Sequence, residues 1–298
     1  MTTPFVAVAG ASGALGQLIT LSLLTNDHAV KALVRPNTPP SRTAALLAAG
    51  ATILPIDLLD STLLTTELTG AICIVSALQG LKPVLHTAQG SLLSAAIAAK
   101  VPRFIPSDFS LDFTKTAVGS NRNNYIRREF HSQLEKSGIA WTSIHCGGFL
   151  DIIGDRMINH QGRSVVYIGD PNQKVDFTTM QDVANYTAAV AVDPKETPRN
   201  LRIASVEISA QELADLQTKI TGQPYKVKWI GTLGSTKFMI GLLKWFGGHD
   251  DMLPAWQGMQ YMENMMSGDG KLEPLDNDRY ALKWTDVDEY LRQQTTAK

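Results

Sequence analysis

The chain has 298 residues, 44% of them hydrophobic and 18% charged, with a net charge of −1. That is enough apolar material for a full core and for two domains, and it excludes a disordered chain; with no basic stripe beyond Arg127-Arg128, it also excludes a nucleic-acid binder. No stretch approaches the roughly 18 uncharged apolar residues that span a bilayer, the start Met1–Pro4 has no charged leader region, and Cys73 and Cys146 sit in apolar runs as thiols, so a cytoplasmic protein without a membrane partner is expected.

In chain order, Phe5–Ala9 reads as a buried strand, broken by a glycine turn at Gly10–Gly16, with a helix opening at Leu15 and running to about Leu24. Strands follow at Val30–Val34, Thr52–Ile56, Ile72–Val75, Arg103–Ile105 and Ile139–His145. Helices lie between them at Thr43–Ala49, Leu85–Lys100 and Asn121–Lys136. Strands alternating with helices predict a doubly wound parallel sheet of the Rossmann type. After about residue 150 the rhythm changes. Short strands (Ser164–Ile168, Val175–Thr178, Leu201–Ala204, Lys226–Ile230) mix with helices at Asp182–Val192 and Ala210–Ile220. The Met- and Trp-rich stretch from Leu233 to Ser267 suits a helical core or a lid over an apolar ligand. Residues 1–150 are therefore expected to form the nucleotide domain, with some later segments packing back on it, and residues 151–298 a smaller α/β substrate region.

The turn Gly10-Ala11-Ser12-Gly13-Ala14-Leu15-Gly16 places three glycines between a strand and a helix at the head of a βαβ unit. The first permits the tight turn, the second lets backbone approach a pyrophosphate, the third allows close helix packing, and the helix N-terminus attracts the phosphates. Strand two ends in Val34-Arg35-Pro36 rather than in Asp or Glu. An arginine there suits a 2′-phosphate through its planar fork, which points to NADP(H). At the carboxyl ends of later strands, Asp57 and Leu58 are candidates for the adenine, and Ser76, Ala77, Leu78 and Gln79 for the riboses. No spacing of His, Cys, Asp and Glu resembles a metal site, and no Gly-x-Ser-x-Gly elbow is present.

Several of these segments occur together in order: Val6–Gly13, Leu33–Arg35, Arg103–Phe109, Tyr125–Arg128, Gly138–Thr142, Gly148-Phe149 and Phe177–Ala184. In that arrangement the chain resembles the isoflavone-reductase-like and NmrA-like branch of the atypical short-chain dehydrogenases, over at least residues 5–230. The resemblance implies NADPH, a Rossmann domain with a smaller substrate domain, reduction of an aromatic or phenolic small molecule, and a monomer or loose homodimer. Ser107 and Gly147 are further cofactor-binding candidates, as are Ser12, Ala14 and Leu15 in the turn, and Phe109 and Phe149 are candidates to pack on the nicotinamide or substrate. One position departs. Where reductases of the isoflavone type carry a catalytic lysine three residues before Ile-Arg-Arg, this chain has Asn123. Nor is there a Tyr-x-x-x-Lys pair, since Glu129 stands four residues after Tyr125.

Three residues remain as catalytic candidates. Asn123 shares a helical face with Ile126, Arg127, Phe130 and Leu134, which points it toward a crevice, where an amide can donate to a carbonyl or stay as a helix-start residue. Asp108 follows strand five in Pro106-Ser107-Asp108-Phe109, where half-burial would lift its pKa for proton transfer, or it serves as a turn residue. His145 ends strand six as a proton donor or a packed histidine, and Tyr125 is a further donor of uncertain direction. His86, His131 and His160 show no partner in the sequence. The expected function is NADPH-dependent reduction of a small apolar, aromatic or secondary-metabolite-like molecule. The alternatives are non-redox cyclase, isomerase or rearrangement chemistry on the same scaffold, and a non-catalytic NADP sensor.

Overall fold

The computed structural model describes residues 3–152 and 157–296; Met1 and Thr2 of the uncharged start lie outside them. Six strands, β1 (Phe5–Ala9), β2 (Ala29–Val34), β3 (Thr52–Pro55), β4 (Ala71–Ser76), β5 (Arg103–Ile105) and β6 (Ala140–Trp141), form one sheet in the order β3-β2-β1-β4-β5-β6. Every pairing is parallel. All five residues of β1 are buried, which is why its small and β-branched side chains can lie at the sheet centre with helices on both faces. The connections reverse direction between β1 and β4, where Ala9 pairs with Ser76, and this switch point is where doubly wound sheets bind ligands.

Helices α1 (Ala14–Thr25), α2 (Ala44–Ala48), α3 (Ser61–Leu68), α4 (Gln89–Ala98) and α5 (Arg122–Ser137) connect these strands. Helix α3 has no clear sequence signal, since its Thr-rich run favours no helix. It forms because the Asp60 carboxylate accepts from the Leu63 amide at 3.0 Å and because Leu64 and Leu68, one turn apart, enter the core beside Ile74 and Phe104.

One expected strand is corrected. Ile139–His145 is not continuous: Ala140-Trp141 extends the parallel sheet, and β7 (Ser143–His145) leaves it to pair with residues of a later strand, Asn200–Arg202. The Thr142 amide still donates to the Phe104 carbonyl at 3.1 Å, whereas the next amide, Ser143, donates to Arg199 at 2.7 Å. Nothing local in the apolar run marks this change of partner.

The chain divides into two compact units. The first comprises residues 1–109, 126–144 and 183–201, and the second residues 110–125, 145–182 and 202–298. The sequence predicts a first part of 1–150 with some later segments packing back on it; residues 183–201 group with the first unit, and residues 110–125 with the second. The second unit has its own core, which includes Leu150, Val165, Phe177, Leu213 and Leu291. Two three-stranded sheets build it. One contains β8 (Gly148–Phe149), and the other contains β9 (Ile158–Asn159) with β10 (Ser164–Tyr167). Its Met- and Trp-rich stretch is only half core. Trp256 and Met266 are buried, while Phe238, Trp245 and Phe246 are 73%, 82% and 73% exposed. Among the described residues no helix is long and apolar enough to cross a membrane.

Candidate nucleotide-binding and catalytic site

The glycine turn has the geometry its spacing predicts. Gly10 sits at φ +78°, a left-handed conformation, and a Cβ there would stand 2.7 Å from the Ala77 carbonyl oxygen. A Cβ at Gly16 would collide with the carbonyl oxygen of Gly10. These two glycines let α1 start directly against the ends of β1 and β4. Gly13 caps α1 without any side-chain hydrogen bond, and the first turn contains no acidic residue. The Gly13 amide donates to the Gly10 carbonyl at 2.9 Å. The amides that follow, at Ala14 and Leu15, are helix-start donors without intrahelical acceptors, and Gly13 and Ala14 are exposed. An uncapped, acid-free helix start of this kind is chemically suited to an anion.

At the end of β2, Arg35 is exposed and forms no ion pair among the described residues. It begins a turn closed by the Thr38 amide donating to its carbonyl at 2.9 Å. The Thr38 hydroxyl, on the same turn, is buried without a hydrogen-bond partner. Sequence reasoning missed Thr38, since an isolated threonine carries no signal. At the end of β4 the Ser76 hydroxyl is likewise buried without a partner, and Gln79 is exposed. Asp57 is exposed and accepts from the Leu59 amide at 3.0 Å, while Leu58 packs on the sheet core. A phosphate-bearing nucleotide fits this donor set: helix-start amides, a guanidinium and two hydroxyls lacking acceptors.

The end of β5 is different. The Ser107 hydroxyl donates to the Leu78 carbonyl at 2.6 Å, and its amide to Gln89 Oε1 at 3.1 Å. Phe109 is 8% exposed. Asp108, expected to be half-buried, is 1% exposed, and its Oδ2 accepts from His131 Nε2 at 2.6 Å and Ser143 Oγ at 2.8 Å. The histidines read as lacking partners all have them: His86 meets Gln133 at 3.0 Å, and His160 meets Tyr225 at 3.1 Å. Burial alone would push the His131 imidazole down; the Asp108 carboxylate outweighs it and holds the pKa above the usual histidine value.

Within the second unit the other two catalytic candidates are engaged. The Asn123 amide donates to the Met252 carbonyl at 3.1 Å and accepts from Arg122 Nε at 3.0 Å. The Arg122 fork reaches the carbonyls of His249, Asp251 and Met252 and stacks on Trp256 at 4.6 Å. Asn123 therefore ties down the 249–252 loop, where a crevice-facing amide was expected. His145 is fully buried, edge-on to Phe113 at 5.1 Å and 3.9 Å from Asp112. Asp112 in turn holds Arg202 at 2.6 Å. Burial would raise the Asp112 pKa, but His145, Thr114 and Arg202 together hold it below the usual carboxylate value.

Gly147 is needed for packing against the Asp176 carbonyl, and Gly148 for the Phe177 ring, so the second unit accounts for this glycine pair by itself; Phe149 beside them is half-buried. Lys271 bridges Asp176 and Glu207, and those carboxylates overcome burial and keep it an ammonium, which cannot act as an amine base.

Sheet order, switch-point glycine turn and uncapped helix start define a Rossmann-type α/β protein. The profile of the NmrA-like family matches residues 2–291, and the chain belongs to that family. A probable pinoresinol-lariciresinol reductase from Arabidopsis thaliana is 28% identical over 208 residues, covering 67% of each chain. An isoflavone reductase homologue from Zea mays is 29% identical over 241 residues, covering 76% of this chain and 77% of that one. Among solved structures, a leucoanthocyanidin reductase–NADPH complex from Vitis vinifera superposes with a TM-score of 0.82 at 20% identity, covering 98% of this chain and 99% of that one. A NADPH-dependent quinone oxidoreductase from Escherichia coli gives 0.73 at 20% identity, covering 98% and 100%.

Proposed function

We propose that this protein is an NADPH-dependent reductase of a small, largely apolar aromatic molecule of the secondary-metabolite kind. The observation that carries the reading is the uncapped start of α1 at the switch point, with Arg35 exposed at the neighbouring strand end. The relatives support it by name, as reductases of pinoresinol-lariciresinol and isoflavone type. The helix-start amides of Ala14 and Leu15 would hold the pyrophosphate, Arg35 and Thr38 the 2′-phosphate, and Ser76 a ribose hydroxyl. NADPH supplies a hydride when bound. The buried thiols of Cys73 and Cys146 favour a reducing, cytoplasmic setting; burial pushes the Cys73 thiol up to about 12, so it stays protonated and inert. The assembly that goes with this reading is a monomer or loose dimer.

A specific observation favours a second reading. At the position of the isoflavone-type lysine, the Asn123 amide is committed to Met252, and Asp108 and His145 are buried in pairs of their own. The same nucleotide site with these three candidates engaged also describes a non-redox rearrangement catalyst or a nucleotide-sensing regulator.

Titration with NADPH and NADH, followed by nicotinamide fluorescence in the wild type and Arg35→Ala, tests the cofactor reading. NADPH binding that the variant weakens and that NADH does not match is the expected result. Binding of neither nucleotide overturns it. Consumption of NADPH with a panel of lignan and flavonoid substrates then separates reductase from regulator.

A further inference from the structure

We propose that His131 is a positioning residue for the nucleotide site, acting through Asp108 to hold the Pro106–Phe109 loop at the carboxyl end of β5. This rests on the nucleotide-binding reading above and adds a residue to which neither the relatives nor the family resemblance gives a role.

Arg127 and His131 are four residues apart on α5 and therefore share a face. Each grips a successive residue of the loop. Arg127 Nε donates to the Ser107 carbonyl at 2.9 Å, and His131 Nε2 donates to Asp108 Oδ2 at 2.6 Å. Ser107 passes the constraint on, since its hydroxyl donates to the Leu78 carbonyl at 2.6 Å. Leu78 follows Ala77, whose amide donates to the Ala9 carbonyl at 2.9 Å and whose carbonyl lies against Gly10. A continuous set of contacts thus runs from His131 to the glycine turn.

The link depends on charge. Asp108 is 1% exposed, and a carboxylate so buried needs a compensating cation. His131, when protonated, is a cation in contact with it. Other groups facing His131 include Ser143 from β7, which shares the Asp108 oxygen, and Trp141 from β6, 4.8 Å ring to ring, with Arg199 stacked over that indole at 4.8 Å. On its own helix Glu135 favours the protonated ring and Arg128 opposes it. Loss of the proton leaves the hydrogen bond available to a neutral tautomer but removes the countercharge from Asp108, which loosens the loop carrying Ser107 and Phe109.

The experiment combines two readouts on the intact protein. Histidine ring NMR gives the titration of His131, and nicotinamide fluorescence gives NADPH affinity over the same pH range, in the wild type and in His131→Gln. Glutamine keeps a donor but cannot titrate, and circular dichroism checks that the variant folds. The expected result is wild-type affinity that weakens on the order of tenfold as pH rises through the NMR midpoint, one pKa unit of coupling being a factor of ten. His131→Gln should bind more weakly at low pH and show no such step. The 2′-phosphate of NADPH titrates alike in both proteins, so their difference isolates His131. A wild-type affinity indifferent to the NMR midpoint, or a step retained in His131→Gln, overturns the proposal while leaving the cofactor reading intact. Absence of NADPH binding at every pH overturns both.

Discussion

At the carboxyl ends of β1 and β2 the polar groups lack partners: the α1 start is uncapped, Arg35 has no ion pair among the described residues, and the Thr38 hydroxyl is buried alone. At the carboxyl end of β5 the opposite holds, with Ser107 and Asp108 tied to Leu78, Gln89, Arg127, His131 and Ser143. Unmatched groups cost stability and make sense when a ligand supplies the missing partner, whereas matched groups make a rigid wall. The two ends therefore differ in what a substitution should do: ligand affinity alone should respond at the first, whereas at the second stability should respond and any change in affinity should follow through the loop.

The largest effect is expected from Asp108→Ala, which removes the carboxylate that His131 contacts in the interior. Breaking a buried pair from one side costs about 3 kcal/mol or more, read as a lower urea midpoint in the unliganded protein. A loss under about 1 kcal/mol would mean that the end of β5 is no stiffer than an ordinary loop. Next comes Gly16→Ala, whose methyl group meets the Gly10 carbonyl. It should cost about 2 kcal/mol through overpacking and abolish measurable NADPH binding. This variant breaks the contrast by moving both properties at once, since here the ligand cradle and the fold are the same atoms.

Arg35→Ala sharpens it. NADPH affinity should fall by roughly ten- to a hundredfold, the worth of a charge-assisted phosphate contact, while the melting temperature of the unliganded protein stays unchanged. Thr38→Val should weaken NADPH several-fold and leave the unliganded protein equally stable or more so, because it removes a buried hydroxyl that has no partner. The smallest effect concerns pH. The folded state raises the His131 pKa, so it binds that proton more tightly than the unfolded chain does. The resulting stabilisation is complete below the unfolded value of about 6.5 and fades as pH rises through the raised folded value. Melting curves of the unliganded protein should decline across that window, and His131→Gln should flatten the decline.

The nucleotide half of the site was legible because its chemistry is consecutive. Gly10, Gly13 and Gly16 act through backbone conformation and spacing within one strand–turn–helix, and Arg35 ends the next strand. The catalytic half was not, because each candidate's meaning depends on a distant neighbour: Asn123 on Met252, His145 on Asp112 and Phe113, and Asp108 on His131. Helix periodicity grouped Asn123 with Ile126 and Phe130 but was silent about the loop that comes to meet it.

By itself, then, the sequence determined the alternating β and α elements, the glycine turn and the parallel sheet, all set by interactions within a few residues and by hydrophobic period. Only the tertiary structure decided where β6 ends and β7 begins, that α3 exists, that Trp245 is exposed while Trp256 is buried, and which histidine meets which carboxylate. Those outcomes depend on burial and pairing between residues tens of positions apart, and an apolar run or a lone polar side chain reads the same in sequence whichever partner the fold brings to it.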